Sequence, residues 1–114
     1  MNAGDIVLVK FPFSDLESSK KRPALLLVQT NLTLKVGVVS IAMITSKVDG
    51  LKFPGDHRLE EWKEAGLLHP SLIRLAKIAT IEKEMVYKSL GRLSARDLHS
   101  IKLSFQRHFK AWLH

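Results

Sequence analysis

The 114-residue chain contains no cysteine. That excludes disulfides, thiolate catalysis and cysteine-based zinc sites together, and it agrees with a reducing compartment, the cytoplasm being the simplest location. No stretch approaches the ~18 uninterrupted apolar residues of a membrane span. The N-terminus runs through Asp5 into a strand-like segment without the basic region and long apolar core of a secretion signal. A soluble, unprocessed chain with no membrane partner is expected. Acidic residues are also scarce: 11 Asp and Glu face 18 Lys and Arg, for a formal charge of +7. Such a surplus suits a polyanionic partner, a nucleic acid or an acidic protein. A helix-turn-helix pattern is missing, which disfavours a DNA-binding regulator. Repeats, low-complexity tracts and linkers are missing too. Residues 1–114 therefore read as one domain, at a size where folding buries roughly 60–70% of the unfolded surface.

What is present is mainly β. Residues 5 to 11 and 24 to 29 are apolar at nearly every position, as in strands covered on both faces or curled into a small barrel. Between them runs a long polar loop, Ser14 to Arg22, ending in Lys20-Lys21-Arg22 before Pro23. Proline fixes its own φ and pushes Arg22 towards an extended conformation, so the Arg22 side chain leaves the sheet in a restricted direction. A third strand, Val36 to Ile44, carries Gly37 as an expected bulge and runs into Thr45-Ser46-Lys47 before an Asp49-Gly50 turn. Phe53-Pro54-Gly55-Asp56 reads as a turn, and Leu59 to Ala65 as a short helical turn ended by Gly66. Ser71 to Ile81 alternates as a bent strand, and Ser89 to Leu93 reads as a short strand or turn. The C-terminus is an amphipathic helix opened by Ser94-Ala95-Arg96-Asp97, a capping box with Asp in place of Glu. Leu98, Ile101, Phe105, Phe109 and Trp112 should face the core, with Lys102, Gln106, Arg107 and Lys110 outside.

In order and spacing, Gly4-Asp5-Ile6-Val7-Leu8-Val9, Lys21-Arg22-Pro23-Ala24-Leu25, Ile44-Thr45-Ser46, Ala65-Gly66-Leu67, Pro70-Ser71 and Leu90-Gly91-Arg92-Leu93-Ser94 resemble the MazF/PemK family of type II toxin-antitoxin toxins, in its PemK-like branch. The resemblance implies an SH3-like small barrel with a C-terminal helix, a homodimer, a cognate antitoxin that wraps and blocks it, and an endoribonuclease cutting single-stranded mRNA without metal or cofactor. It carries Arg22 and Thr45 as catalytic. Some members add an arginine matching Arg74, followed two positions later by an aspartate; this chain has Ala76 there.

Metal-free RNA cleavage proceeds by attack of the 2′-hydroxyl on its own phosphate. The charge developing on phosphoryl oxygens needs preorganised donors, and the guanidinium fork matches them bidentately. Arg22 fits, with Arg74 second; Thr45 can donate to the same oxygens, with Ser46 as substitute. Phe13, Lys20, Lys21, Ser46 and Lys47 are the expected RNA contacts, Phe11 or Phe13 by stacking. The base is open among His57, His69, Asp49 and Asp15. Arg74 has an alternative reading as ion-pair partner of Glu60 or Glu61. The alternative function is a non-enzymatic toxin or nucleic-acid-binding module on the same fold, for example a gyrase inhibitor.

Overall fold

The computed structural model describes residues 1–10 and 20–113. Phe11, Phe13, Asp15 and most of the long loop lie outside the described residues. Among the described residues six strands form one antiparallel sheet: β1 (Asp5–Val9), β2 (Arg22–Asn31), β3 (Gly37–Thr45), β4 (Asp56–Arg58), β5 (Leu72–Glu82) and β6 (Val86–Arg92). A 3-10 turn, Lys83–Met85, joins the last two, and α1 (Ala95–His108) and α2 (Lys110–Leu113) close the chain. The spatial order is β4-β5-β3-β2-β1-β6. β4 and β6 are edges, so the ladder is open where a closed small barrel was expected.

The two-residue period of a strand sends alternate side chains to opposite faces, and here both faces are apolar. On one, Ile6, Leu25, Ala42, Ile44 and Ile73 pack with Leu59, Ala65, Leu67, Leu93 and Ile101. Helix α1 and the 59–67 segment thus cover this side. On the other, Val7, Val9, Ala24, Leu26, Val39 and Ile41 cluster with Ala79 and Ile81 from β5, and Met85 and Val86 close over them. Irregularities in the β1–β6, β2–β3 and β3–β5 ladders bend the sheet. The largest lies in β5, where Ala42 pairs with Ile78 while the next residue, Met43, pairs with Arg74. Residues 75 to 77 therefore leave the ladder, and Ala76 is exposed.

Several expectations change. Gly37 is no bulge, since it pairs with Asn31. It is needed because a Cβ there would sit 2.6 Å from the Thr30 carbonyl oxygen. The 59–65 stretch is a run of turns ended by Gly66 at φ +86°. Trp112 is 85% exposed. The helix breaks its period at Phe109, whose N–H bonds the Phe105 carbonyl at φ −101° and ψ 23°, so α2 leaves the core-facing stripe. Ser94 caps α1 as expected, its Oγ accepting from Asp97 N at 3.1 Å. The Asp97 carboxylate turns elsewhere: fully buried, it accepts from the backbone N–H groups of Glu60 (3.0 Å) and Glu61 (2.8 Å). One acid thereby ties the 59–67 segment to the start of α1.

Candidate functional site

The strands end around a cavity of about 480 Å³. The start of β2 supplies Lys21 and Arg22, the end of β3 supplies Thr45, Ser46 and Lys47, and the approach to β5 supplies His69 and Ser71. Lys88 comes from β6, and Leu8, Pro23, Ile44, Leu67 and Leu90 give the apolar wall.

Why these residues meet is a matter of register. β2 and β3 pair Ala24 with Met43 and Leu25 with Ala42. Continuing that register two residues outward sets Arg22 opposite Thr45, on the same face of the ladder. Arg22 is itself held as a strand residue by pairing with Val9. Beyond Thr45 the chain turns under local control: Thr45 Oγ1 accepts from Lys47 N at 3.1 Å, a hydroxyl turn that presents Ser46 and Lys47 at the rim. On the far side, Ser71 is 4% exposed and its Oγ donates to the His69 carbonyl at 2.8 Å, fixing the backbone that carries the imidazole. The wall between is backbone against backbone. A Cβ on Gly66 would lie 2.1 Å from the Leu90 carbonyl oxygen, and one on Gly91 would lie 2.4 Å from that of Ala65.

Among the described residues the cavity is lined by four cationic side chains and three hydroxyls, and by no Asp or Glu. A cleft lined by one sign of charge over apolar walls concentrates the opposite charge. Lys21 is additionally stacked over the Tyr87 ring, its Nζ 4.0 Å from the centroid, and Tyr87 is 47% exposed. An exposed aromatic next to a cationic cleft is suited to a nucleobase.

Of the residues expected from sequence, Lys21, Arg22, Thr45, Ser46, Lys47 and His69 come together here. Lys20 is exposed and does not line the cavity. Phe13 and Asp15 lie outside the described residues. Asp49 is exposed in the turn after Lys47 and contributes nothing to the wall. His57 sits under α1, Nδ1 3.0 Å from Ser104 Oγ, with Nε2 buried and unpartnered. Burial lowers its pKa, against the opposing pull of the Asp97 carboxylate.

Arg74, expected beside Arg22, is elsewhere. Its Nε and Nη2 donate to Asp56 Oδ1 and Oδ2, both at 3.0 Å, and Nη2 also donates to the Leu51 carbonyl at 2.8 Å. The Phe53 ring lies 4.5 Å from its guanidinium carbon. Its ion-pair partner is therefore Asp56 rather than Glu60 or Glu61. Sequence reading missed Ser71 and Lys88, and only the β6 register, Leu8 opposite Lys88, brings the latter to the site; it also missed Tyr87, which contacts the lining residue Lys21.

A family model described as the PemK-like, MazF-like toxin of type II toxin-antitoxin systems matches residues 2–109. Among solved structures the chain is similar to the Mycobacterium tuberculosis toxin MazF-mt6, at 23% sequence identity and a TM-score of 0.65 over 93% of this chain and 96% of that one. At that identity the likeness bears on the fold. A search of curated proteins finds no match.

Proposed function

The chain belongs to the PemK-like, MazF-like family of type II toxins, and from that premise we propose that it is a sequence-specific endoribonuclease that cleaves single-stranded mRNA. The observation that carries this reading is the cavity in which Arg22 and Thr45 meet among further cations, with no carboxylate among the described lining residues. Attack of the 2′-hydroxyl on the adjacent phosphate builds negative charge on the phosphoryl oxygens. A guanidinium held at a strand end meets that charge with two parallel donors, and the apolar side chains of the wall strengthen the interaction. Thr45 donates from the facing strand, Lys21 and Lys47 hold the flanking phosphates, and Ser46 positions the backbone at the rim. Arginine serves as electrostatic stabiliser because its guanidinium has donors and no acceptor. Arg74, forked onto Asp56, holds the β4–β5 edge rather than the phosphate. As a type II toxin the protein has an antitoxin partner; we assign it further to the cytoplasm, as a homodimer, with no metal in the step.

Incubation of a long unstructured RNA with the purified protein in EDTA tests the reading, with Arg22→Ala as control. Products ending in a cyclic phosphate and a 5′-hydroxyl are expected from the wild type and at least ten-fold less from the variant. Absence of cleavage, or equal cleavage by Arg22→Ala, overturns it; inhibition of DNA gyrase without cleavage would establish the non-enzymatic alternative.

A further inference from the structure

A reaction that begins by removing a proton from a 2′-hydroxyl needs an acceptor, and among the described residues the cavity wall holds no carboxylate to serve as one. We propose that His69 is that acceptor, an assignment that rests on the ribonuclease reading above. Lys21, Arg22, Lys47 and Lys88 line the same cavity as His69, but ammonium and guanidinium groups are donors without an acceptor site. The hydroxyls of Thr45, Ser46 and Ser71 accept hydrogen bonds yet are too weakly basic to hold a transferred proton. Imidazole both accepts and returns a proton near neutral pH. No partner among the described residues engages the His69 ring, and the residue is exposed, so it can exchange protons with solvent. Its backbone, by contrast, is anchored through the buried Ser71 hydroxyl and followed by Pro70, which restricts it to extended conformations. Asp15 lies outside the described residues, and the other described candidates do not compete. His57 is engaged by Ser104 beneath α1, and Asp49 does not reach the cavity wall.

The step balances without a further reactant. The 2′-oxygen bonds to phosphorus as its proton passes to a His69 ring nitrogen, and the bond from phosphorus to the 5′-oxygen breaks. The departing 5′-oxygen takes a proton from water or from a lysine ammonium at the rim, and the imidazolium returns its proton to solvent. Arg22 and Thr45 stabilise the phosphoryl oxygens while this happens.

The test is a single-turnover pH profile on the RNA substrate above, for wild type, His69→Gln and His69→Ala, with the affinity for a non-cleavable all-2′-deoxy oligonucleotide of the same sequence measured in parallel. Removing a positioned general base is expected to slow cleavage about 10²–10⁴-fold. The decline in rate towards acid pH should disappear from the variants, oligonucleotide affinity should stay within three-fold, and imidazole added to His69→Ala should restore part of the rate. A His69→Gln rate within three-fold of an active wild type overturns the assignment and leaves the ribonuclease reading intact. So does a loss of rate matched by an equal loss of affinity with the acid limb retained, which would mark His69 as a phosphate contact. An inactive wild type overturns the ribonuclease reading itself, and the assignment with it.

Discussion

Arg74 and Asp56 stand directly opposite each other in the β4–β5 ladder and are joined by two parallel hydrogen bonds of 3.0 Å, with both side chains almost wholly buried. Asp56 is doubly committed, because its Oδ2 also accepts from Phe53 N at 2.9 Å and so closes the turn that leads into β4. The pair orders the 51–58 segment and holds the second arginine out of the cavity lining.

Breaking it should therefore cost stability before it costs chemistry. Leaving one buried member of such a pair unmatched costs about 3–5 kcal/mol, so Asp56→Ala should lower the urea midpoint strongly. Arg74→Lys, which keeps the charge and loses the fork, should lower it less. The folded fraction of Arg74→Lys should cleave RNA within about three-fold of wild type. Cleavage abolished in a variant of unchanged urea midpoint would show that Arg74 acts on substrate after all.

Thr45 should separate its two roles under substitution. Thr45→Ser keeps a donor for phosphoryl oxygens and an acceptor for Lys47 N, and should retain most of the rate. Thr45→Val keeps the shape and loses both. Loss of one preorganised donor typically costs about 10²–10³-fold in rate, and that is the expectation for Thr45→Val in single-turnover cleavage. A rate for Thr45→Val equal to that of Thr45→Ser would assign the residue to the turn alone.

His57 makes stability depend on pH. Burial holds its pKa in the folded chain below the ordinary 6.5, so between those two values the unfolded chain binds the extra proton. The stability tied to neutral His57 is thus fully present above pH 6.5 and is lost as pH falls through the lowered folded value. Urea unfolding at pH 7.5 and at pH 5 should show the drop, and His57→Gln should reduce it. An undiminished drop in that variant would place its origin in other groups.

Gly66 carries both a backbone and a packing constraint. At φ +86° a side chain is strained, and a Cβ would overlap the Leu90 carbonyl at 2.1 Å. Strained backbone of this kind costs about 1–3 kcal/mol by itself, and the overlap adds to it. Gly66→Ala should therefore lower the melting temperature and, because Gly66 and Leu90 both line the cavity, weaken binding of the 2′-deoxy oligonucleotide. Gly50→Ala, whose Cβ would meet its nearest neighbour at an ordinary 3.6 Å, is the control and should change little.

The residue that family resemblance makes conspicuous by absence, the carboxylate replaced by Ala76, also looks different in three dimensions. Ala76 lies in the part of β5 that leaves the ladder and is exposed, away from the cavity. The proton acceptor is sought instead in the segment before β5, where His69 had no distinguishing mark in the sequence beyond its residue type.

What the chain declared by itself is local or compositional. Apolar runs bounded by Pro, Gly and Ser marked five of the six strands wholly or in part. Ser94 marked the start of α1, the position of Gly66 marked the end of a turn, and the ordered short motifs carried the family. Each depends on residues within a few positions of one another, or on totals, and such signals survive without the fold. The pairing of Arg74 with Asp56, the use of Asp97 as a clamp on residues 60 and 61, the exposure of Trp112 and the meeting of Arg22, Thr45, His69 and Lys88 around one cavity were decided only by tertiary structure. These depend on strand register and on irregularities in the ladder, where a shift of one residue exchanges the two faces. Register is set by how the whole apolar sheet packs against α1 and against itself, and no short stretch of the chain contains that information.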